Sequence, residues 1–333
     1  MPKVFSRINL HIKNNRAGEY VFRITPERLA AAGVRNPLIA ERIDSFIDWD
    51  LDHFEASMKT ANALVTWELP TENLTKVAPN LKWIHIIGAG VEHLQPLDWL
   101  PRGVTLTNNR GVHALKTADS AGMAVMMLNI GMPRMISNQR KHIWDARFTT
   151  PVTGKTIACI GVGEMGGAAA RRFKQLGLKV LGIRRGARPH RYVDVMYGPW
   201  DLKKVMSLAD FVHVTLPQTP ETIGMIGASE LDAMKRDAGI INFGRAAVID
   251  TPALAERLSD GRIAGAILDV HDPEPLPQDS PYWDVPNLII TPHVTSDDDV
   301  SYIPLTLELV FENLGRMLQG RSLKNRVNPK LGY

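Results

Sequence analysis

The stretch from Lys155 to Arg185 decides the fold. It reads KTIACIGVGEMGGAAARRFKQLGLKVLGIRR, and its glycines Gly161, Gly163 and Gly166 follow the spacing G-x-G-x-x-G. An apolar run precedes the glycines, a segment without helix breakers follows them, and a second apolar run comes next. This order predicts a strand, a glycine turn, a helix and a second strand. In that setting the pattern is typical of a turn that holds the pyrophosphate of a dinucleotide at the helix N-terminus. The alternative is a structural glycine turn without a ligand.

The end of the second strand indicates which dinucleotide would bind. An NAD-binding unit carries an acidic residue there, which accepts hydrogen bonds from the ribose hydroxyls. This chain has Arg184 at that place, followed by Arg185, with Arg188, His190 and Arg191 close behind. Guanidinium groups pair with a 2′-phosphate, which a carboxylate would repel. The sequence therefore predicts NADP(H) as the preferred cofactor and NAD(H) as the second choice. The alternative is a solvated basic loop.

Composition limits the class of protein. The chain has 333 residues, of which 44% are hydrophobic and 22% charged, and this suits a soluble protein of two domains. No apolar run is long enough to cross a membrane, and the first residues do not resemble a secretion signal. The single cysteine, Cys159, lies in a predicted buried strand and cannot form an intrachain disulfide. This fits a reducing compartment, so we expect a cytoplasmic protein. The net charge of +4 is mild, and we expect neither a nucleic-acid nor a membrane partner.

Strand and helix signals alternate along the chain, which predicts an α/β fold with parallel sheets covered by helices on both faces. The helix at 118–132 is apolar nearly all round, so we expect it to be buried, with a subunit contact as one place for its burial. The expected strands are 4–12 (an edge strand), 63–66, 81–87, 104–107, 157–160, 180–183, 211–215, 238–242, 264–269 and 288–291. The expected helices are 26–33 with Thr25 as N-cap, 50–59, 70–77, 118–132, 168–176, 202–207, 228–235, 252–259 and 300–318.

Three predicted strands of the second half end in residues suited to the reduction of a 2-keto acid. Arg245 offers a planar fork for a carboxylate. Hydride transfer to a ketone leaves an alkoxide, and His293 could protonate it. Glu274 could orient that imidazole and favour its protonated form. Each residue also has a purely structural interpretation. Arg245 could form a helix cap or a surface salt bridge, His293 could be a core histidine, and Glu274 could be a solvated loop acid. Spacing alone does not show that they meet. We expect no metal.

These segments resemble the D-isomer-specific 2-hydroxyacid dehydrogenases over most of the chain after about Leu81. After the catalytic arginine the family usually has glycine, and this chain has Ala246. At the position of the family's acidic cofactor-binding residue, this chain has Arg184. The first eighty residues match poorly, and the segment Trp67-Glu68-Leu69 receives no assignment. The landmarks that carry the resemblance are 88–94, 161–166, 216–222, 241–245, 268–270 with 274–276, and 291–293.

The resemblance implies roles for single residues. Arg245 would bind the substrate and polarise its carbonyl, and Glu274 would pair with His293 as the acid/base. Glu164 and Met165 would touch the pyrophosphate, and Asp269 the nicotinamide carboxamide. The implied substrate-binding residues are Ala89, Gly90 and Val91, through their backbone N–H groups, with Arg245 and His293. The expected cofactor-binding residues are Gly161, Gly163, Glu164, Met165, Gly166, Arg184, Arg185, Leu216, Pro217, Phe243, Gly244, Arg245, Asp269 and His293.

The resemblance also implies an architecture and a function. We expect two Rossmann-like doubly wound parallel-sheet domains with the active site in the cleft between them. Residues 1–107 and 295–333 would form a discontinuous substrate-binding domain, and residues 108–294 the dinucleotide-binding domain. The expected protein is a homodimer that reduces a small 2-keto acid to the D-2-hydroxy acid with NADPH, like the glyoxylate and hydroxypyruvate reductases. The alternatives are a dinucleotide-sensing, corepressor-like protein and a relative acting on another substrate such as phosphite.

Overall fold

The computed structural model describes residues 5–332, which divide into two compact units. Unit 1 contains residues 5–112 and 298–332, and unit 2 contains residues 113–297. The two ends of the chain thus belong to the same unit, and the glycine turn belongs to the other. The roles assigned to the two predicted domains, with boundaries at 107 and 294, stay predictions.

Each unit is built on a parallel sheet. The strands are β1 Ile8–Asn14, β2 Ile43–Trp49, β3 Ala63–Thr66, β4 Trp83–Ile86, β5 Thr105–Asn108, β6 Thr156–Ile160, β7 Lys179–Ile183, β8 Val195–Tyr197, β9 Phe211–Val214, β10 Gly239–Asn242, β11 Gly265–Leu268 and β12 Leu288–Ile290. Unit 1 has the order β2-β1-β3-β4-β5, and unit 2 has β12-β11-β10-β9-β6-β7-β8. Buried apolar strands of this kind need helices on both faces. The predicted α/β fold with two parallel sheets is confirmed.

The helices are α1 Pro26–Arg35, α2 Pro37–Ala40, α3 Phe54–Met58, α4 Leu74–Val77, α5 Ala114–Asn129, α6 Met132–Arg140, α7 Glu164–Gln175, α8 Leu202–Leu208, α9 Ala228–Asp232, α10 Thr251–Ser259 and α11 Tyr302–Leu318. The Thr25 hydroxyl accepts a hydrogen bond from the Arg28 N–H at 3.4 Å, as expected of an N-cap. The α11 side chains Leu307, Val310 and Leu314 are fully buried in the core of unit 1. Each such side chain contributes roughly 1.5–3 kcal/mol of hydrophobic stabilisation.

Several predicted elements were wrong. The strand expected at 4–12 is not an edge, because β1 lies between β2 and β3, and Val4 lies outside the described residues. The sequence of β2 (IDSFIDW) mixes polar and apolar residues along a partly exposed edge strand, and this mixture obscured it. The helices expected at 50–59 and 70–77 are confined to the short segments α3 and α4.

The apolar helix α5 is also not buried all round. It ends at Asn129, and Pro133 lies in the first turn of α6. Met123 and Met126 of α5 are 53% and 42% exposed. One face of the helix packs in unit 2, therefore, and another remains open. None of the helices found between residues 5 and 332 has the length and apolar character needed to span a membrane.

Candidate active site

The turn between β6 and α7 requires glycine at two positions. Gly161 has φ +97°, a left-handed conformation that L side chains rarely adopt. A Cβ atom on Gly166 would lie 2.0 Å from the Gly161 carbonyl oxygen and 2.7 Å from Oγ1 of Thr215. The Thr215 hydroxyl donates a hydrogen bond to the same carbonyl at 2.9 Å. The helix therefore packs on the turn so closely that only hydrogen fits.

The space at the N-terminus of α7 fits a dinucleotide. A Cβ atom on Gly163 would meet no other atom of the described chain within 4 Å. Gly163 precedes Glu164 and Met165, which open α7, so the unpaired N–H groups of the first turn lie beside this open space. A pyrophosphate is the anion that such a glycine turn accommodates.

The loops after β9 and β10 lie side by side at the carboxyl edge of the same sheet. A Cβ atom on Gly244 would lie 2.7 Å from the Leu216 carbonyl oxygen. Pro217 follows Leu216 in the first loop, and Phe243 precedes Gly244 in the second. The Phe243 side chain is only 3% exposed and belongs to the hydrophobic core of unit 2. The side chain of Phe243 thus anchors the loop after β10 in the core of unit 2.

The basic cluster follows β7 directly. Arg184 is half-buried, and its N–H donates to the Tyr197 carbonyl at 3.2 Å. No carboxylate of residues 5–332 forms a salt bridge with Arg184, whereas the guanidinium of Arg185 lies 4.0 Å from Glu221. Burial, and then the charges of Arg184 and Arg191, lower the pKa of His190 below its usual value. The end of β7 is therefore a positively charged site, as a 2′-phosphate requires.

Glu274 and His293 form a pair in unit 2. The Nδ1 atom of His293 lies 2.8 Å from Oε2 of Glu274, and the other carboxylate oxygen accepts the His271 N–H at 2.7 Å. The imidazole and the carboxylate are 45% and 36% exposed. Partial burial raises the pKa of Glu274, but the hydrogen bonds from His293 and His271 outweigh burial, and the net pKa lies below the usual value. The carboxylate is therefore charged at neutral pH and orients the imidazole.

The segment that carries His293 is held by Asp269. His293 itself has φ +55°, which is uncommon for a residue with a side chain and persists only where the surroundings impose it. One oxygen of the buried Asp269 carboxylate accepts from the Thr291 hydroxyl at 2.6 Å and the Val294 N–H at 3.1 Å. The other accepts from the Thr295 N–H at 3.1 Å and the Thr295 hydroxyl at 2.6 Å. Asp269 thus fixes the loop on both sides of His293, and its contact with a nicotinamide carboxamide stays a prediction.

Arg245 occupies the turn after β10. The Asn242 side-chain amide donates to the Arg245 carbonyl at 3.0 Å and accepts the Gly244 N–H at 3.0 Å. Nη1 of Arg245 donates to the Gly244 carbonyl at 2.8 Å. Ala246, which stands where the family usually has glycine, does not have a positive φ. The turn therefore accepts a side chain at that position.

Sheet order brings the three predicted catalytic residues to one edge. Since β10, β11 and β12 are neighbours in a parallel sheet, their carboxyl ends meet. Arg245 follows β10, Glu274 follows β11, and His293 follows β12. Ligands of doubly wound sheets bind beyond these ends. This edge can bind an anion and hold a proton next to it.

Unit 1 presents a separate loop at the carboxyl end of β4. The Asn108 side chain donates to the Ala89 carbonyl at 2.6 Å and anchors this loop to β5. Among residues 5–332, no group accepts a hydrogen bond from the N–H of Ala89, Gly90 or Val91. These three consecutive N–H groups are available to an acceptor outside the described chain, and backbone N–H groups of a loop can bind an anion.

Comparison with known proteins identifies the family. The model of the "D-isomer specific 2-hydroxyacid dehydrogenase, NAD binding domain" matches residues 122–295. The chain belongs to the D-isomer-specific 2-hydroxyacid dehydrogenases. A glyoxylate reductase of Korarchaeum cryptofilum is 33% identical over 268 residues, which are 77% of this chain and 79% of the relative.

Two solved structures of this family resemble the fold over nearly its full length. A D-isomer-specific 2-hydroxyacid dehydrogenase from Xanthobacter autotrophicus in complex with NADPH and MES has a TM-score of 0.85 at 28% identity, covering 98% of this chain and 100% of that one. An NADPH-dependent glyoxylate/hydroxypyruvate reductase from Sinorhizobium meliloti, in complex with NADP and sulfate, has a TM-score of 0.80 at 27% identity, with coverage of 98% and 100%. The predicted family, the enzyme class and the NAD(P) cofactor are confirmed.

Sequence reasoning missed some residues that shape the site of this dehydrogenase. Thr215 and Asn242 tie the turns after β9 and β10, and the backbone N–H of His271 supports Glu274. A Thr or Asn at the end of an apolar strand was the available signal, because such side chains commonly bond nearby backbone. The support from His271 had no signal, since any residue offers an N–H group.

Proposed function

We propose that this dehydrogenase reduces a small 2-keto acid to the D-2-hydroxy acid with NADPH. The observation that carries the proposal is the Glu274–His293 pair, held at the same sheet edge as Arg245. A protein that only sensed a dinucleotide would have no need of a charged carboxylate bonded to a partly exposed imidazole. A reductase needs that pair, because a proton must reach the carbonyl oxygen as the hydride reaches the carbon.

Each residue of the site then has a task. The bound cofactor supplies the hydride. His293 donates a proton from Nε2 to the oxygen of the former carbonyl, and Glu274 holds the opposite ring nitrogen. Arg245 binds the 2-keto acid and polarises its carbonyl, so that negative charge develops beside a guanidinium. In unit 1, the N–H groups of Ala89, Gly90 and Val91 bind the substrate carboxylate.

The preference for NADPH is supported by Arg184. It directly follows β7 and has no salt-bridge partner among residues 5–332, so its charge is available to a 2′-phosphate. Two neighbouring structures of the family were solved with NADPH or NADP. Glu164 and Met165 would lie beside the pyrophosphate, and Arg185 would add charge next to Arg184.

The open face of α5 and the segment after α6 support a homodimer. Met123, Met126 and Met135 are between 42% and 53% exposed, and Trp144 and Phe148 are almost fully exposed. A second copy of the chain would cover this apolar surface. Light scattering coupled to size exclusion tests the dimer, and Met126→Glu should weaken it.

The direct test of the proposed reaction uses NADPH, glyoxylate and hydroxypyruvate with the unmodified protein and with His293→Ala. We expect the variant to lose roughly a hundredfold or more of kcat, since general acid catalysis typically contributes that much. Glu274→Gln should move the alkaline fall of the reduction rate to lower pH, because the neutral amide does not favour an imidazolium.

The control for Glu274→Gln is Glu72→Gln, which neutralises an exposed carboxylate in unit 1. It should leave the pH profile unchanged. Near-native turnover of His293→Ala would show that another group delivers the proton. Oxidation of phosphite by NADP+, without turnover of any 2-keto acid, would replace the proposed substrate and keep the cofactor.

A further inference from the structure

Trp67, which the sequence left without a role, lies directly against the loop of unit 1 that carries Ala89. It follows β3, and the carboxyl ends of β3 and β4 are joined where the Ile87 N–H donates to the Thr66 carbonyl at 3.0 Å. A Cβ atom on Gly88 would lie 2.2 Å from Cζ3 of the Trp67 indole. The six-membered ring therefore rests on the backbone of Gly88, one residue before the free N–H groups.

The ring is held on a second side by His93. The two rings are stacked, with centroids 4.2 Å apart and planes inclined by 12°. The Nε2–H of His93 donates to the Trp67 carbonyl oxygen at 2.8 Å. The indole is thus fixed between a histidine and a glycine, yet 41% of its residue surface remains exposed. This fixed, partly exposed indole lies beside the loop to which we assign the substrate carboxylate, so the remainder of a bound substrate would lie near it.

The charges next to the Trp67 ring balance each other. Glu68 follows Trp67, and its carboxylate accepts from the Asn15 amide at 3.0 Å and lies 3.9 Å from the ammonium of Lys13. Lys13 also donates to Asn15 at 2.6 Å, and its side chain is 4% exposed. The buried ammonium offsets the carboxylate of Glu68. A negatively charged substrate therefore does not meet an uncompensated like charge at this edge.

These contacts bear on the substituent that C2 of the substrate carries besides the keto oxygen and the carboxylate. A 2-keto acid is only a few bonds long, so when its carboxylate lies on the N–H groups of Ala89 to Val91, its C2 substituent lies among the residues adjoining that loop. We propose that the indole of Trp67 bounds the space for this substituent and restricts the enzyme to 2-keto acids with hydrogen or a small group there. This inference rests on the proposed function and specifies its substrate class.

The test compares kcat/KM for glyoxylate, hydroxypyruvate, 2-ketoisocaproate and phenylpyruvate with NADPH. In Trp67→Ala, the ratio of kcat/KM for the two bulky acids to that for glyoxylate should rise about tenfold to a hundredfold, because added room in an apolar pocket changes discrimination by that order. Trp67→Phe should give a smaller rise. Gly88→Ala should also raise the ratio, since its Cβ atom would displace the ring.

The matched control is Trp99→Phe, which changes a half-buried tryptophan elsewhere in unit 1. It should leave the ratio unchanged. If Trp67→Ala and Trp67→Phe alter kcat/KM for all four acids by one common factor, or leave the ratio unchanged, Trp67 only supports the loop and the inference is wrong. If the unmodified protein reduces none of the acids with either cofactor, the proposed function itself fails, which is a different result.

Discussion

Two glycines of the same turn should respond to alanine in opposite ways. Gly166→Ala places a methyl group 2.0 Å from the Gly161 carbonyl oxygen, well inside the ordinary contact of 3.4–4 Å, so backbone must move. Overpacking of this kind costs about 1–3 kcal/mol. In a unit of this size the loss lowers Tm by about 2–12 °C. Gly163→Ala meets no protein atom within 4 Å, and its φ of −96° suits an L residue. Its Tm without cofactor should stay native.

Cofactor affinity, in contrast, should depend on Gly163 more than on Gly166. The methyl group of Gly163→Ala would occupy the space beside the first turn of α7, where we place the pyrophosphate. Loss of one charge-assisted hydrogen bond costs about 1.5–3 kcal/mol, which weakens NADPH binding about tenfold to a hundredfold. Gly163→Ala should therefore fold normally and bind poorly.

Thermal unfolding followed by circular dichroism, and fluorescence titration with NADPH, measure the two effects separately. The control is Gly224→Ala, at another glycine of unit 2. A Cβ atom on Gly224 would meet no atom within 4 Å, but the residue has φ +64°. This variant should therefore lose some stability and no NADPH affinity. Native NADPH affinity in Gly163→Ala would refute the location of the pyrophosphate. A native Tm in Gly166→Ala would refute the close packing of α7 on the turn.

Three further predictions concern the basic cluster, the substrate arginine and a buried histidine. Arg184→Asp should reverse much of the preference for NADPH in kcat/KM, a preference of about tenfold to a hundredfold that weakens as salt rises. Arg245→Lys should lower kcat/KM for every 2-keto acid and have little effect on NADPH affinity in titration, because lysine keeps the charge but not the fork. Burial lowers the pKa of His213 to about 3, and both its ring nitrogens lack partners among the described residues. The unfolded chain then binds more protons between about pH 6.5 and 3, so stability falls as pH drops through that window, and the Tm loss on acidification should be smaller in His213→Leu.

The sequence predicted the parts of the site that depend on local pattern. The glycine turn, the arginine at the end of β7 and the strands around them follow from spacing over about thirty residues. The strand at 63–66 was also correct, because a short apolar run between turns leaves little choice. The proximity of Glu274 and His293, by contrast, came only from the family resemblance.

The features that the sequence did not predict depend on contacts between distant residues. Asp269 holds Thr295, which is 26 residues later in the chain, and no local pattern reports that contact. Trp67 rests on Gly88 only because β3 and β4 are neighbours in the sheet. The exposed face of α5 was missed because an apolar sequence does not show which surface packs on the protein's own core.

Reduction kinetics with a panel of 2-keto acids test the central claim most directly. The measurement is kcat/KM of the unmodified protein for glyoxylate and hydroxypyruvate, with NADPH and with NADH, at one ionic strength. We predict turnover of at least one of these acids, with kcat/KM at least about tenfold higher with NADPH than with NADH, as one charge-assisted hydrogen bond provides. Absence of turnover with every 2-keto acid tested would contradict the proposed reaction, and equal values for the two cofactors would contradict the role of Arg184.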